Sequence, residues 1–264
     1  MKLRIAVLLA ATSLLSVAAL AQEQNKTYVE ARGNVVPVPL PPGGPPPRMA
    51  DGHVDLSGVW FSGPTGKANA WSVVADDTPT RQDPMPYRPE IQKKLDSMTR
   101  AERQLMSAQV TCRPLGVPGL WTNNPYPHQI VMKPNLFVHL IESNNNWRVV
   151  RIPRQHKPKE EQETLYMGDT ASRWEGDTLV LDTISLDERN WHSDSLHVIE
   201  RLRRPSVNYL EYQYTLEDPK VLTKTWTSAW RTYSLGNEDL TENFCTNNEN
   251  VEQLLKLQEA ERGR

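Results

Sequence analysis

The sequence predicts a mainly β protein in which an antiparallel meander closes into a barrel with one or two flanking helices. Two observations lead to this prediction. From residue 129 onward, short segments rich in β-branched and aromatic residues alternate with tight-turn sequences. Before them, one segment repeats apolar residues at helical spacing. Short strands joined by tight turns are typical of barrels and sandwiches, and of the two we expect the barrel.

The strands are delimited by turn residues, because Pro, Asn, Gly and Asp interrupt each apolar run. A first strand is expected within "DLSGVW", residues 55–60. In "SRWEGDTLVLDT", residues 172–183, Gly176-Asp177 predicts a turn between two strands. From residue 129 on, we expect strands at 129–133, 136–142, 146–152, 170–174, 178–184, 195–204, 207–217 and 220–228.

Two helices are expected beside these strands. The first spans 89–109, and Pro89 suits its first turn. Its apolar face consists of Ile91, Leu95, Met98, Leu105 and Met106. The second is a short helix within the C-terminal segment 249–264. Residues 112–129, rich in Pro, Gly and Asn, are expected to form a loop.

The N-terminus predicts export. Two positive charges precede a continuous apolar run, and Ala19-Leu20-Ala21 matches the small-residue pattern of a signal-peptidase site. We therefore expect a signal peptide at 1–21, a mature chain beginning at Gln22, and a periplasmic or secreted protein. No other stretch is long and apolar enough to predict a membrane span.

The mature chain is expected to hold one domain. Residues 22–50, with seven prolines between Pro37 and Pro47, predict an extended arm or linker that builds no core. Residues 51–248 are then a single barrel domain. The net charge of −2 and the lack of a basic block argue against nucleic acid as a partner. Eight Trp and eight Tyr against three Phe suit either a wet pocket or an exposed sheet surface.

Cys112 and Cys245 are the two cysteines. In an oxidising compartment, the simplest expectation is that they form a disulfide. A catalytic thiol is the alternative, and an exported free thiol tends to oxidise.

Strand parity points to two carboxylates as candidate site residues. Glu200 shares a strand face with Val198 and Leu202, and Asp182 shares one with Val180. A carboxylate on an apolar face is costly unless it is paired or hydrogen-bonded. Each is therefore either a ligand-facing acid inside the barrel or half of an internal ion pair, with Arg173 or Arg201 as its partner.

Two short motifs supply candidate proton carriers. Arg154 and His156 lie two residues apart at a strand end, where the cation can hold an oxygen and the imidazole can move a proton. An exposed basic turn is the alternative interpretation. In "NWHSDSLH", Asp194 is placed to orient His192. His192 and His197 would face opposite sides of a strand, so we expect no metal.

These residues form the expected site. Arg154, His156, His192, Asp194 and Glu200 are the catalytic candidates, and we expect Arg154, His156, His192 and Glu200 to converge on one cavity. The expected substrate-binding residues are Tyr126, His128, Trp174, Asp182, Trp191 and Arg201. No cofactor is expected, because the chain has neither a Walker A motif nor a G-x-G-x-x-G motif.

The chain resembles a group of exported bacterial proteins of unassigned activity. The resemblance rests on "CRPLGVP", "RIPRQHKP", "RWEGDTLV", "HSDSLHVIERLRR" and "ENFCTNNEN", and it covers most of the mature chain. Where that group has Asp-Gly-Arg before the histidine, this chain has Ile152-Pro153-Arg154. A looser resemblance, carried by Gly58-Val59-Trp60 and the β meander, is to lipocalin-like calycin barrels. It implies a barrel whose cup holds a small apolar ligand.

Three functions remain open from the sequence. The first is a cofactor-independent enzyme, a lyase, decarboxylase, isomerase or hydrolase, that uses acid/base chemistry on a small apolar or aromatic molecule in a barrel cavity. The second is a lipocalin-like binding protein without chemistry. The third is a structural protein whose proline-rich arm contacts a partner. Polar groups that converge in a pocket would distinguish the first two.

Overall fold

The longer strands of the computed structural model belong to one antiparallel sheet that curls into a nearly closed nine-stranded barrel. The structure describes residues 28–31, 34–37, 42–61, 84–106, 108, 110–122, 126–143, 146–187, 192–245 and 248–262. Its strands are β1 (Tyr28–Ala31), β2 (Asn34–Pro37), β3 (Gly58–Phe61), β4 (His128–Lys133), β5 (Leu136–Ile141), β6 (Asn146–Arg151), β7 (Asp169–Glu175), β8 (Thr178–Ile184), β9 (His197–Ser206), β10 (Tyr209–Glu217), β11 (Trp226–Thr227) and β12 (Arg231–Gly236).

Three of the four described helices have nine residues or fewer, and the C-terminal one has 15. They are α1 (Pro89–Ser97), α2 (Arg100–Leu105), α3 (Gly119–Thr122) and α4 (Asn248–Arg262), with a 3-10 turn at Lys159–Glu161. The mainly β class is confirmed, although four helices stand where one or two were expected. No helix in these ranges is long and apolar enough to cross a membrane.

The barrel has the strand order β6-β5-β4-β3-β12-β10-β9-β8-β7. Two meanders, β4 to β6 and β7 to β10, are joined because β3 from the start of the domain pairs with both β4 and β12. The strands β1 and β2 form a separate hairpin, and β11 pairs with β10 off this path. β6 and β7 therefore lie at the two ends of the order, and the line between them is called here the seam.

The seam is held by few contacts. Ser172 on β7 donates its hydroxyl to the carbonyl of Arg151 at 2.5 Å, and Arg154 and Ser172 form an isolated antiparallel bridge. Residues 152–168 connect β6 to β7 across this line and are called the strap. In the part of the chain that the structure describes, the seam is thus closed by an isolated bridge and a side-chain hydrogen bond, without a continuous backbone ladder.

Alternation along β9 shows how the core is built. Val198, Glu200, Leu202, Arg204 and Ser206 are buried, and the residues between them are more exposed. The inner face also receives Leu179 and Leu181 from β8, both fully buried. Each such aliphatic side chain contributes about 1.5–3 kcal/mol by leaving water. The prediction that Glu200 shares a strand face with Val198 and Leu202 is therefore confirmed.

Gly58 fixes the entry of the chain into the barrel. Its φ of +153° is one that residues with a side chain rarely adopt, and a Cβ there would lie 2.6 Å from Leu235 Cδ1 and would push that methyl group aside. Two residues later Trp60 is fully buried, with the guanidinium of Arg204 4.9 Å from its ring centroid. Arg204 also donates to the carbonyls of Asp55 and Ser57, which ties the segment just before β3 to β9.

The predicted strands from 129 to 217 are confirmed to within about two residues, and so is the Gly176-Asp177 turn. The predicted strand at 220–228 is wrong, because only Trp226–Thr227 is extended. Asp218 is the physical reason: its carbonyl accepts from Val221 and Leu222 and curls the chain into a turn. The strand that the sequence analysis missed, β12, follows at Arg231–Gly236.

The predicted helix at 89–109 is broken into α1 and α2. Thr99 accepts from the backbone N–H of Glu102, and the Glu102 carboxylate accepts from the N–H of Thr99. This capping box starts a new helix after Met98. The expected loop at 112–129 contains the one-turn helix α3. Cys112 and Cys245 form the disulfide expected of them, which excludes the catalytic thiol.

Candidate functional site

A cleft of about 550 Å³ opens along the seam. Its walls come from β6, from the strap and from the segment that carries Cys112. Arg113, Arg148 and Arg154 bring three guanidinium groups to it, and the described lining residues include no carboxylate. The apolar lining residues are Pro114, Trp147, Val149, Val150, Leu165 and Met167. The cleft therefore combines hydrogen-bond donors with an apolar wall.

Arg148 forms the buried base of the cleft. Its residue is only 3% exposed, because the parity of β6 turns it inward between Trp147 and Val149, which are exposed. One guanidinium nitrogen donates to Glu200 at 2.5 Å, and the other donates to the hydroxyls of Thr170 and Thr183 at 2.9 Å each. Its Nε finds no partner among the described residues.

Glu200 receives a second donor inside the barrel. The hydroxyl of Tyr212 on β10 donates to Glu200 Oε1 at 3.1 Å, and both residues are fully buried. Burial first, and then the neighbouring Glu200 charge, raises the pKa of Tyr212 well above its ordinary value. Tyr212 therefore stays protonated and keeps donating. Arg148, Glu200 and Tyr212 form what we call the inner network.

A pair of histidines lies next to this network. His128 on β4 and His139 on β5 are fully buried, and His128 Nδ1 lies 2.9 Å from His139 Nε2. The ring of Trp121 from α3 stacks on both, with centroid distances of 4.5 and 4.3 Å. Burial lowers the pKa of His128 to about 3, and burial with the nearby charges of His128 and Arg148 lowers the pKa of His139 well below its usual value. Both imidazoles are therefore neutral.

The outer face of β7 to β10 carries a second polar network, which we call the ladder. It consists, in order, of Asp169, His156, Asp182, His197 and Glu217. Along it, His156 Nδ1 lies 3.1 Å from Asp169 and His156 Nε2 lies 3.1 Å from Asp182. His197 Nε2 lies 2.7 Å from the same Asp182 oxygen, and His197 Nδ1 lies 3.0 Å from Glu217.

Arg154 connects the ladder to the cleft. It lines the cleft and forms an ion pair with Asp169, whose other oxygen faces His156. Burial alone would raise the pKa of Asp169, but donors from the Lys157 backbone and from Arg154 outweigh it and hold that pKa below its ordinary value. Asp169 therefore stays ionised between the cleft and the ladder.

The charges of the ladder reinforce one another. The hydrogen bond to Asp182 is the largest cause that raises the pKa of His197, and Glu217 adds to it. In turn, the hydrogen bond from His197 is the largest cause that lowers the pKa of Asp182. At neutral pH, His197 is therefore held toward its protonated form.

The four residues expected to share a cavity are divided between two faces of the sheet. Glu200 points inward, whereas Arg154 and His156 lie on the outer side with Asp169. His192 is buried elsewhere, with its Nδ1 2.9 Å from the carbonyl of Ser193. The structure therefore joins Arg154 to His156 and separates both from Glu200 and His192.

Asp182 also lies on the outer face, contrary to the expected interior position. Leu181 is opposite the inward Glu200, so Asp182, opposite Ile199, points the other way. The ion-pair alternative is confirmed for Glu200, but its partner is Arg148 rather than Arg173 or Arg201. Arg173 instead pairs with Glu175.

The remaining candidates are spread over the molecule. Asp194 is exposed and pairs with Lys220 at 2.5 Å. Trp174 stacks on His53 with centroids 4.6 Å apart, and Arg201 lies half-buried on β9. Tyr126 is half-buried just before β4. Trp191 lies outside the described residues.

Five residues of the two networks, and His139 beside them, were not among the sequence candidates: Arg148, Asp169, Tyr212, His197 and Glu217. The alternation of "NWRVVR" places Arg148 on the face opposite Trp147 and Val149, but it favours the apolar pair as the inner face, and the structure has the reverse. Asp169 carried no such signal, because its role depends on how the strap folds back. In the described ranges, no cluster of three or more His, Cys, Asp or Glu residues could hold a metal ion.

Comparisons of the chain with protein-family models, with curated proteins and with solved structures gave no match.

Proposed function

We propose that this is an exported binding protein for a small molecule, which it holds in the seam cleft. The ligand has an apolar or aromatic body and an oxygen-bearing end, such as a carboxylate. The observation that carries the proposal is the pairing of guanidinium donors with an apolar wall in one cleft of about 550 Å³. Small-molecule sites have volumes of this order and combine apolar walls with a few fixed polar groups.

The apolar wall suits the body of such a ligand. Trp147 is 64% exposed at the cleft, and Leu165 and Val149 are also exposed beside it. Exposed apolar residues that gather at one concave site are typical of binding surfaces. The body would contact Trp147, and its polar end would face Arg154.

Export is supported by the disulfide between Cys112 and Cys245, since disulfides persist in oxidising compartments. The signal peptide at 1–21 and a periplasmic location belong to the same proposal. The nearly closed barrel and Gly58-Val59-Trp60 support the finer proposal of a lipocalin-like relative.

A matched pair of variants tests the cleft. Trp147 lines it, whereas Val131 is 42% exposed on the outer face of β4 and is absent from its lining. With anilinonaphthalene sulfonate as the probe, we expect Trp147→Ala to weaken binding roughly tenfold, because exposed Trp anchors often dominate small interfaces. Val131→Ala should leave the dissociation constant unchanged. Equal effects in fluorescence titrations of the two variants would contradict the proposal.

A cofactor-independent acid/base enzyme is the second candidate. It is favoured by one observation: Asp169 contacts both Arg154, at the cleft, and His156. The carboxylate of Asp169 thus lies between the imidazole of His156 and Arg154, which would face the polar end of the proposed ligand. Incubation with a mixture of aromatic carboxylic acids, followed by mass spectrometry, tests this candidate. Turnover that His156→Gln abolishes and His53→Gln preserves would favour the enzyme over the binding protein.

A further inference from the structure

One backbone edge of β6 faces the seam. Just after this strand, the N–H of Ile152 donates to the carbonyl of Asn135, and this bond shows which residues pair with β5. Backbone groups alternate between the two sides of a strand, so the even-numbered residues of β6 bond to β5. The odd-numbered residues Trp147, Val149 and Arg151 therefore turn their N–H and C=O groups toward the seam.

One end of this edge is closed by the chain itself. The carbonyl of Arg151 accepts from the hydroxyl of Ser172, and just beyond it Arg154 and Ser172 form their backbone bridge. Within the ranges that the structure describes, no hydrogen bond reaches the seam side of the Trp147 or Val149 backbone. Both residues line the cleft and are 64% and 51% exposed. The cleft therefore follows an open strand edge and stops at Arg151.

An open strand edge recognises a peptide backbone. Its N–H and C=O groups are a template for one more strand, and many proteins bind extended peptides in this way. Residues 112–114 and 165–168 wall the same cleft. Because of these walls, the space beside β6 suits a single short chain and excludes the sheet of a second barrel.

The closed end of the cleft carries a cation that suits a chain terminus. Arg154 lines the cleft there, and its hydrogen bonds to the Thr170 carbonyl and to Asp169 use two of the five N–H donors of a guanidinium. Arg113 and Arg148 also line the cleft, and the described lining residues include no carboxylate. The buried Nε of Arg148 has no partner among the described residues. A carboxylate therefore fits this end, and an ammonium group does not.

We propose that the ligand of the cleft is a short peptide that adds to the seam edge of β6 and places its C-terminal carboxylate at Arg154. This inference rests on the function proposed above and names the class of ligand. Because the C-terminus lies at the Arg151 end, the peptide runs parallel to β6. Its penultimate residue lies opposite Arg148, between the open groups of Trp147 and Val149.

Parallel pairing fixes the bonds of the penultimate residue. In a parallel pair, a residue bonds to the two residues that flank the one opposite. Its N–H donates to the carbonyl of Trp147, and its C=O accepts from the N–H of Val149. Its side chain shares the inward face with Arg148, which is 3% exposed, so this side chain must be small. The side chains before and after it share the outer face with Trp147 and Val149 and should be apolar.

Calorimetric titration with the tripeptide Leu-Ala-Phe tests the pairing. Replacing the alanine N–H by an ester oxygen removes the donor to Trp147 without adding bulk. We expect the dissociation constant to rise about three- to tenfold, which corresponds to the loss of one hydrogen bond. In the control, the ester replaces the N–H of the phenylalanine, which faces away from β6. This control should bind like the parent peptide.

The C-terminal amide of the same tripeptide tests the placement of the carboxylate. We expect it to bind on the order of tenfold more weakly than the acid, because charge-assisted hydrogen bonds are stronger than neutral ones.

A matched pair of protein variants tests the edge itself. Val149→Pro removes the N–H at the seam and leaves the hydrogen bonds to β5 in place, since proline is tolerated where a strand edge is open. Val149→Ala keeps that N–H, so the peptide should bind Val149→Pro several-fold more weakly than Val149→Ala. If Val149→Pro does not fold, the ester pair decides, because it uses the wild-type protein.

The outcomes separate this inference from the proposed function. Equal affinities of the two esters would overturn the strand pairing, and equal affinities of acid and amide would overturn the placement of the terminus. If Leu-Ala-Phe does not bind but anilinonaphthalene sulfonate binds and Trp147→Ala weakens it, the peptide ligand is overturned and the binding function stands. If neither probe binds, the binding function fails and the peptide ligand with it.

Discussion

The inner and outer faces of the barrel carry the same types of polar side chain, one sheet thickness apart, in different surroundings. On the inner face, Arg148 and Glu200 have side chains that are 2% and 0% exposed. On the outer face, the side chains of His156 and Asp182 are 28% and 22% exposed. The first network is sealed from solvent, and the second is partly in contact with it.

This difference reverses the behaviour of the histidines. Inside the barrel, desolvation dominates and lowers the pKa of His128 to about 3, so the ring is neutral. Outside, the carboxylate partner dominates and raises the pKa of His197. The same residue type therefore serves as a fixed packing group in one place and as a titrating group in the other. The inner network is sealed in the core, whereas the ladder contains one histidine, His197, whose carboxylate partners raise its pKa.

The largest expected effect comes from breaking the inner network. Glu200→Leu fits between Val198 and Leu202 but leaves the guanidinium of Arg148 buried without its carboxylate. Removing one partner of a buried ion pair costs about 3–5 kcal/mol of unfolding free energy. Urea denaturation followed by Trp fluorescence measures this loss.

The exposed pair of Arg48 and Asp177 is the control for this variant. Its side chains are more than half exposed, and exposed ion pairs contribute little to stability. Arg48→Ala should leave the urea midpoint unchanged within error. If Glu200→Leu were as harmless as Arg48→Ala, the inner network would not be the structural element described here.

Sequence reasoning reached the inner network only in part. The parity of Glu200 could be predicted, because alternation along β9 is regular and a carboxylate on that face requires a partner. Arg148 could not be assigned to it, since Arg148 and Glu200 lie 52 residues apart on strands that do not pair. Which arginine reaches Glu200 depends on how the barrel closes at the seam.

The arrangement of the ladder could not be predicted from the sequence for a different reason. His156 and Asp182 were recognised as candidates, but Asp182 was expected to face inward. Leu179, Val180 and Leu181 are all buried, so the alternation on β8 does not show which side is the core. The register of β8 against β9 decides it. The sequence therefore predicted the strands well and predicted the faces only where alternation was regular.

The second prediction concerns how the free energy of unfolding changes with pH. The buried histidines lower it as the pH falls, whereas His197 of the ladder lowers it as the pH rises. Below about pH 6, each buried neutral imidazole lowers stability by up to about 1.4 kcal/mol per pH unit, because the unfolded chain binds a proton that the folded chain does not. His128 and His139 both contribute this slope. Replacing both with Phe should flatten the fall in unfolding free energy between about pH 6 and pH 4, compared with the wild-type protein.

Replacing both His128 and His139 should leave the unfolding free energy at alkaline pH unchanged, because the ladder is intact in that variant. The His197→Gln variant should show the reverse: the acid slope stays, and the loss of stability that follows deprotonation of His197 as the pH rises through its raised pKa disappears. Urea midpoints measured across the pH range distinguish the two. Identical pH profiles for the His128/His139 double variant and for His197→Gln would refute the assignment of the two slopes to the two faces.

The smallest expected effect is that of Asp182→Asn on stability near neutral pH. Asp182 accepts from both His156 and His197, so the substitution weakens two charge-assisted hydrogen bonds. Because the Asp182 side chain is in contact with solvent, we expect the unfolding free energy to fall by roughly 1 kcal/mol, less than for a buried pair.

This loss of unfolding free energy should shrink with added salt, since the Debye length falls to about 3 Å at 1 M. For Glu200→Leu, by contrast, salt should change little, because no ions reach the inner face. The test is urea denaturation of Asp182→Asn and the wild-type protein in low and high sodium chloride. If the loss of unfolding free energy caused by Asp182→Asn did not change with salt, the ladder would be as inaccessible to solvent ions as the inner network.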